Sequence, residues 1–148
     1  MSAGGGGLRQ LQEQLQAIDE EVAALKEDIE ELQTEKAEAN EAIDALDRLE
    51  TDDIVQVPLG GDAYVRAEIQ NVDEIVVSLG GGYAAERDRE GAVESLEHKK
   101  NALDDRISSI QSEISELESE SDELEQQAQQ MQQQQLQQMQ QQFQQSDE

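Results

Sequence analysis

Four groups of residues in this chain have the type or spacing that chemistry would need, and three of them fail. Gly80-Gly81-Gly82-Tyr83 invites comparison with a phosphate cradle, yet no Lys-Ser/Thr follows it. It also lacks the strand-to-helix GxGxxG order of a dinucleotide site, so it and Gly60-Gly61 read as turns. His98 is the only histidine and stands beside Lys99 and Lys100, with no second imidazole or thiol to share a metal. It reads as a surface residue. Most of the 36 Asp and Glu lie along helical sequence with no apolar pocket to set one apart as a general acid or base. No catalytic residue, metal ligand or cofactor is therefore expected, and no enzyme. The fourth group is apolar. Leu8, Leu11 and Leu15 near the start, with Met131, Leu136, Met139 and Phe143 near the end, are the candidate binding residues. Flexible methionines and a lone phenylalanine suit varied partners. The competing reading of QQMQQQQLQQMQQQFQQSDE is a disordered, solvated glutamine tail.

The elements that must carry these residues are two heptad arms. In the first, Leu8, Leu11, Leu15, Ile18, Val22, Leu25, Ile29, Leu32, Lys36, Ala39, Ile43 and Leu46 alternate steps of three and four, broken only by Lys36. A sustained 3.5-residue period is that of a coiled coil, and the arm should be roughly 60 Å long at 1.5 Å per residue. In the second, Val93, Leu96, Lys100, Leu103, Ile107, Ile110, Ile114, Leu117, Ser121, Leu124, Ala128 and Met131 repeat the pattern, with Asp88 as the expected N-cap. The arms match as an antiparallel pair. Leu46 with Leu96, Ala39 with Leu103, Lys36 with Ile107, Leu25 with Leu117 and Leu11 with Met131 have residue numbers adding to 142 or 143. Leu8 then falls opposite Gln135, and the sequence beyond has no partner. Lys36 and Lys100 fall opposite apolar residues, where a polar group fixes register at some cost in stability.

Between the arms lies an insert of two β-rich runs. Strand 54–59 should pair with 62–69 around Gly60-Gly61, and 74–79 with 83–87 around Gly80 to Gly82. Pro58 cannot donate to a ladder and belongs at an edge or beside the turn. Isolated hairpins are marginal in water and open strand edges recruit other chains. The insert is therefore expected to oligomerise into a shared or closed sheet, through Ile54, Val55, Val57, Tyr64, Val65, Ala67, Ile69, Ile75, Val76, Val77, Leu79 and Tyr83. The expected fold is mainly α, a long antiparallel coiled-coil hairpin with two β-hairpins at the bend. The expected division is a flexible N-terminus 1–7, in which Gly4 to Gly7 cannot hold a helix cheaply, a first helix 8–50, the double hairpin 51–89, a second helix 90–135 and a glutamine-rich tail 136–148.

Composition narrows the function classes. Only 35% of residues are hydrophobic and 2% aromatic, too little bulk for a globular core in 148 residues, so an elongated form is expected. No apolar run reaches the ~20 residues that cross a bilayer, and MSAGGGGLRQ has no signal-peptide core. A cytoplasmic protein is expected, and the lack of cysteine fits a reducing compartment. The net charge of −26, from 36 acidic residues against 10 Lys and Arg, argues against nucleic acid as a partner. Such self-repulsion is tolerable where salt screens it, since the Debye length falls to about 3 Å at 1 M. A halophilic cytoplasm is the expected source.

At the insert the chain resembles the archaeal prefoldins, and among them the alpha type. The residues that carry the resemblance are Val57-Pro58-Leu59-Gly60-Gly61 with Tyr64-Val65, the run Asp73-Glu74-Ile75-Val76-Val77-Ser78-Leu79-Gly80-Gly81-Gly82-Tyr83, and Glu86 and Ala92. Two hairpins rather than one point to alpha over beta. The resemblance implies a hexamer of two alpha and four beta subunits, built on β-barrels of pooled hairpins. It also implies an ATP-independent holdase that grips non-native polypeptides at its coiled-coil tips and passes them to a group II chaperonin. The extreme acidity and the long glutamine-rich tail depart from the family pattern. Two other functions stay open, a structural coiled-coil scaffold and an acidic chaperone for basic proteins.

Overall fold

The computed structural model describes residues 3–146, and side-chain surroundings for residues 6–144 apart from Leu79. In chain order the elements are α1 (Ala3–Arg48), β1 (Ile54–Gly60), β2 (Ala63–Glu68), β3 (Ile75–Gly80), β4 (Tyr83–Arg87) and α2 (Arg89–Ser146). The fold is thus two long helices with two antiparallel hairpins between them, β1 with β2 and β3 with β4. Two compact units can be distinguished: residues 31–106, and the first 30 residues together with those from Ile107 onward.

Residues 31–106 hold the end of α1, both hairpins and the start of α2. The two hairpins are built alike. Each keeps simple register down to Pro58↔Tyr64 or Ser78↔Ala84, then slips by one residue, so that Gly60 meets Ala63 and Gly80 meets Tyr83. Leu59 and Leu79 occupy the bulges. The two-residue turns are Gly61-Asp62, one residue later than Gly60-Gly61 suggests, and Gly81-Gly82, within the expected Gly80 to Gly82. All four have positive φ, between 57° and 82°, as turns of this twist require. Pro58 pairs in β1 two residues from the turn.

The core of this unit is Leu46, Val77 and Ala92, with Ile75, Val93 and Leu96 packed around it. Ala92 is wholly buried; a residue with one methyl lets β3 lie close over the start of α2. Below this cluster Ala39 and Leu103 are also buried. The ends of the helices are tied by specific polar bonds. Asp88 caps α2, its Oδ1 accepting from the Gly91 N–H at 2.7 Å while its carbonyl accepts from the Ala92 N–H at 2.9 Å. Asp53 steadies the exit of α1, accepting from the Glu50 N–H at 2.9 Å. The Val72 N–H donates to the Thr51 hydroxyl oxygen at 3.2 Å, linking the two sides of the double hairpin. Arg89 Nη2 donates to the Leu49 carbonyl, joining the end of α1 to the first residue of α2.

Both lysines of the seam keep an ionic partner. The Lys36 Nζ lies 2.7 Å from Asp104 Oδ1, because the long lysine stem can cover the seam while its ammonium turns outward. Lys100 likewise reaches Glu97, at 3.8 Å.

In the other unit Ile18, Ile107, Ile110 and Ile114 are buried. Leu8, Leu11, Leu15, Val22, Leu25, Ile29, Leu117, Ser121, Leu124, Ala128, Met131 and Gln135 are half-buried. All are positions of the three-four series or its continuation, so the period placed the seam correctly. The seam weakens at Ser121, where Ile18, Val22, Ala23, Glu118 and Asp122 surround a shallow groove of about 430 Å³.

Both ends of this unit are more helical than the division 1–7 and 136–148 anticipates. α1 begins at Ala3 and takes in Gly4 to Gly7. Met1 and Ser2, the rest of the expected flexible segment, lie outside the described residues. Each glycine costs about 1 kcal/mol relative to alanine, but extending a helix already nucleated is far cheaper than starting one. Gly7 also makes room for Met131, whose Cε lies 2.9 Å from where a Cβ would stand. Met131, expected opposite Leu11, therefore reaches one turn nearer the start of the chain. At the other end α2 continues to Ser146, since glutamine is a good helix former.

Candidate binding surfaces

The twelve residues expected to drive oligomerisation separate by face. Residues directly opposed across an antiparallel pair share a side of the sheet. In the first hairpin Val55 faces Ala67 and Val57 faces Val65, which puts four apolar side chains on one side of β1 and β2. Val57 and Val65 are exposed, and Val55 and Ala67 half-buried. The other side carries Ile54, Gln56, Pro58, Tyr64, Arg66 and Glu68, with Ile54 and Tyr64 open to solvent. Ile69 lies beyond β2 and is tied to the exit of α1, where its N–H donates to the Asp53 carbonyl at 2.8 Å.

The second hairpin uses its apolar side differently. Val77, opposite Ala85, is buried against Leu46 and Ala92, and Ile75 packs on the same cluster. These two residues pack on the subunit's own helices. Val76 points to the other side and is exposed, and Tyr83, beside the turn, is exposed as well. Leu79 stands in β3, and its side chain lies outside those described. Alternation does not tell which hairpin folds back, because both hairpins share it.

The seven candidate binding residues also separate. Leu8, Leu11, Leu15 and Met131 are half-buried in the seam between α1 and α2. Leu136, Met139 and Phe143 are 60%, 67% and 74% exposed. Their spacing of three and four places them on one side of α2, where with Gln140 and Gln144 they line an open apolar groove of about 390 Å³. The stripe lies beyond Gln135, the last seam residue that is even half-buried.

His98 is exposed, as expected, and with Arg87, Lys99, Ser78 and Ser95 lines a shallow cleft of about 510 Å³. Among the described residues no group of three His, Cys, Asp or Glu is arranged to hold a metal ion. No helix among them is long and apolar enough to cross a membrane. Arg89 is the residue that sequence reasoning missed. It is one of ten cations, and nothing in its neighbours distinguishes a residue whose guanidinium will close the base of the two helices.

Comparison with known proteins accords with this geometry. The family model described as Prefoldin subunit matches residues 11–147. The chain is similar to the prefoldin alpha subunit of Haloarcula marismortui, 58% identical over 72 residues, which is 49% of this chain and 47% of that one. That match spans about half the length of the relative. Similarity to the prefoldin alpha subunit of Halobacterium salinarum is longer, 55% over 110 residues, covering 72% of this chain and 71% of the other. Among solved structures, filamentous PFD from Methanocaldococcus jannaschii superposes with a TM-score of 0.53 at 25% identity, over 80% of this chain and 95% of that chain. The prefoldin beta subunit from Thermococcus strain KS-1 shares the fold, with a TM-score of 0.54 at 19% identity over 82% of this chain and 89% of that one. Two heptad helices joined through paired hairpins, matched by one family model nearly from end to end, leave one conclusion: the chain belongs to the prefoldin subunit family.

Proposed function

We propose that this chain is an alpha-type subunit of a prefoldin chaperone that works without ATP, holding non-native polypeptides and passing them to a group II chaperonin in the cytoplasm. The observation that carries this reading is the family match through residues 11–147, which takes in both helices and both hairpins. The open apolar side of the first hairpin supports assembly with further subunits, two alpha and four beta in the complete particle. The stripe of Leu136, Met139 and Phe143 supports capture of clients, with Leu8, Leu11, Leu15 and Met131 joining it when the end of the seam opens. Each stripe is small, so capture is multivalent: several weak sites on one particle raise the effective concentration for a single client chain without any strong site.

The test is deletion of residues 1–15 and 129–148, followed by assembly with beta subunits at molar salt. Light scattering should report an unchanged particle, and suppression of aggregation of a denatured model protein should be lost. Holdase activity that survives the deletion would refute the assignment of capture to this end of the helices.

A further inference from the structure

Charge is absent from one stretch of the molecule. Residues 126–145 contain fifteen Gln, two Met and one each of Ala, Leu and Phe, without a single charged side chain. At the 31% charged content of the chain, twenty residues would carry about six. On α1 the first carboxylate is Glu13, and the residues before it carry only Arg9 among charged side chains. Carboxylates are thus absent from residues 1–12 and from residues 126–145, and the exposed stripe Leu136, Met139 and Phe143 lies within the second of these stretches. The stretch closes at Asp147 and Glu148, outside the described residues.

Helix formation does not demand this, because glutamic acid is nearly as good a helix former as glutamine. Solubility would favour glutamate as well. Neutrality makes a difference to what touches the stripe. Carboxylates beside it would attract a basic polypeptide, leave a neutral one unaffected and repel an acidic one. We propose that the carboxylate-free stretch 126–145 of α2 is a capture surface matched to acidic non-native polypeptides. This rests on the client-capture reading above and adds the class of client. The chain itself, at −26, is a sample of that class.

Salt sets the range over which the arrangement works. Asp147 follows Phe143 by only four residues, while Glu125 lies eleven residues before Leu136, or about 16 Å along the helix. That is about five Debye lengths at 1 M salt, and about half of one at 0.01 M. At high salt only charges at the contact itself are felt, so a neutral contact is sufficient to admit an acidic chain past acidic helices. The same observation opposes a role in binding basic proteins, for which glutamates at the stripe would be an advantage.

The test uses the full chain assembled with beta subunits and two labelled disordered peptides of equal apolar content, one rich in Glu and the other with every Glu replaced by Gln. Binding is read by fluorescence anisotropy, with circular dichroism to verify that the helices persist. At about 0.5 M KCl the unmodified particle should bind both peptides within about twofold. Replacing two groove residues, Gln140→Glu with Gln144→Glu, should weaken the acidic peptide about threefold or more and leave the neutral one within about twofold, the gap closing as salt rises. Equal loss of both peptides, or no loss of either, would overturn the proposal while leaving client capture intact. Failure of the unmodified particle to bind either peptide would overturn the capture reading itself.

Discussion

The N-cap of α2 allows a prediction whose sign depends on a single contact. Gly91 is the third residue of the helix, and its N–H donates to Asp88 Oδ1 at 2.7 Å. A methyl group built on Gly91 would stand 2.8 Å from that same oxygen and 3.4 Å from Arg87 Cβ. Gly91→Ala should therefore gain about 1 kcal/mol of helix propensity and lose about 1 kcal/mol as the carboxylate is pushed off the N–H, a net change near zero. Asp88→Ala alone should cost about 1 kcal/mol. Once the carboxylate has gone, Gly91→Ala has nothing to strike and should stabilise by about 1 kcal/mol. The double-mutant cycle thus closes with a coupling of about 1 kcal/mol. Urea unfolding at fixed molar KCl, followed by far-ultraviolet circular dichroism on all four proteins, measures it. Additive effects, or a Gly91→Ala that stabilises by the full propensity gain with Asp88 in place, would show that the cap is not made as described.

Other perturbations test other parts of the account. Val57→Asp with Val65→Asp sets two carboxylates opposite each other on the open side of the first hairpin; light scattering should show assembly abolished while the helical signal persists. Val77→Asp, in contrast, puts a charge into the Leu46 and Ala92 cluster and should cost several kcal/mol of subunit stability, seen as a lower urea midpoint. Lys36 and Asp104 are a third and a half exposed, so Asp104→Asn should cost under about 1 kcal/mol and nothing measurable at molar salt. With 36 carboxylates against 10 Lys and Arg, helicity should fall on transfer from molar to millimolar salt; an unchanged circular dichroism spectrum would contradict the role given to screening.

The seam was legible because period is a property of sequence alone. The series from Leu8 to Leu46 and from Val93 to Met131 contains the buried Ile18, Ala39, Leu46, Leu103, Ile107, Ile110 and Ile114, and misses only Ala92 among the buried helix residues described. The hairpins were legible from Gly60-Gly61 and Gly80 to Gly82, though the bulge at Leu59 moved the first turn by one residue, a shift that depends on backbone twist. The docking of Ile75 and Val77 on the helices was hidden, because alternation marks an apolar side without naming what covers it. Helix through Gly4 to Gly7 was also hidden, since per-residue propensity omits the low cost of extending an existing helix. For the candidate binding residues, sequence gave the types and spacing, while the division into seam and open stripe required knowing that the last half-buried seam residue is Gln135.

The central claim is that assembly and capture are done by separate apolar surfaces, the hairpins for one and the stripe on α2 for the other. Replacing the stripe by its own flanking residue, Leu136→Gln with Met139→Gln and Phe143→Gln, tests it most directly, with suppression of aggregation of a denatured acidic protein measured on particles of verified size. The account predicts particles of normal mass that no longer protect the client. Full protection by those particles would contradict it.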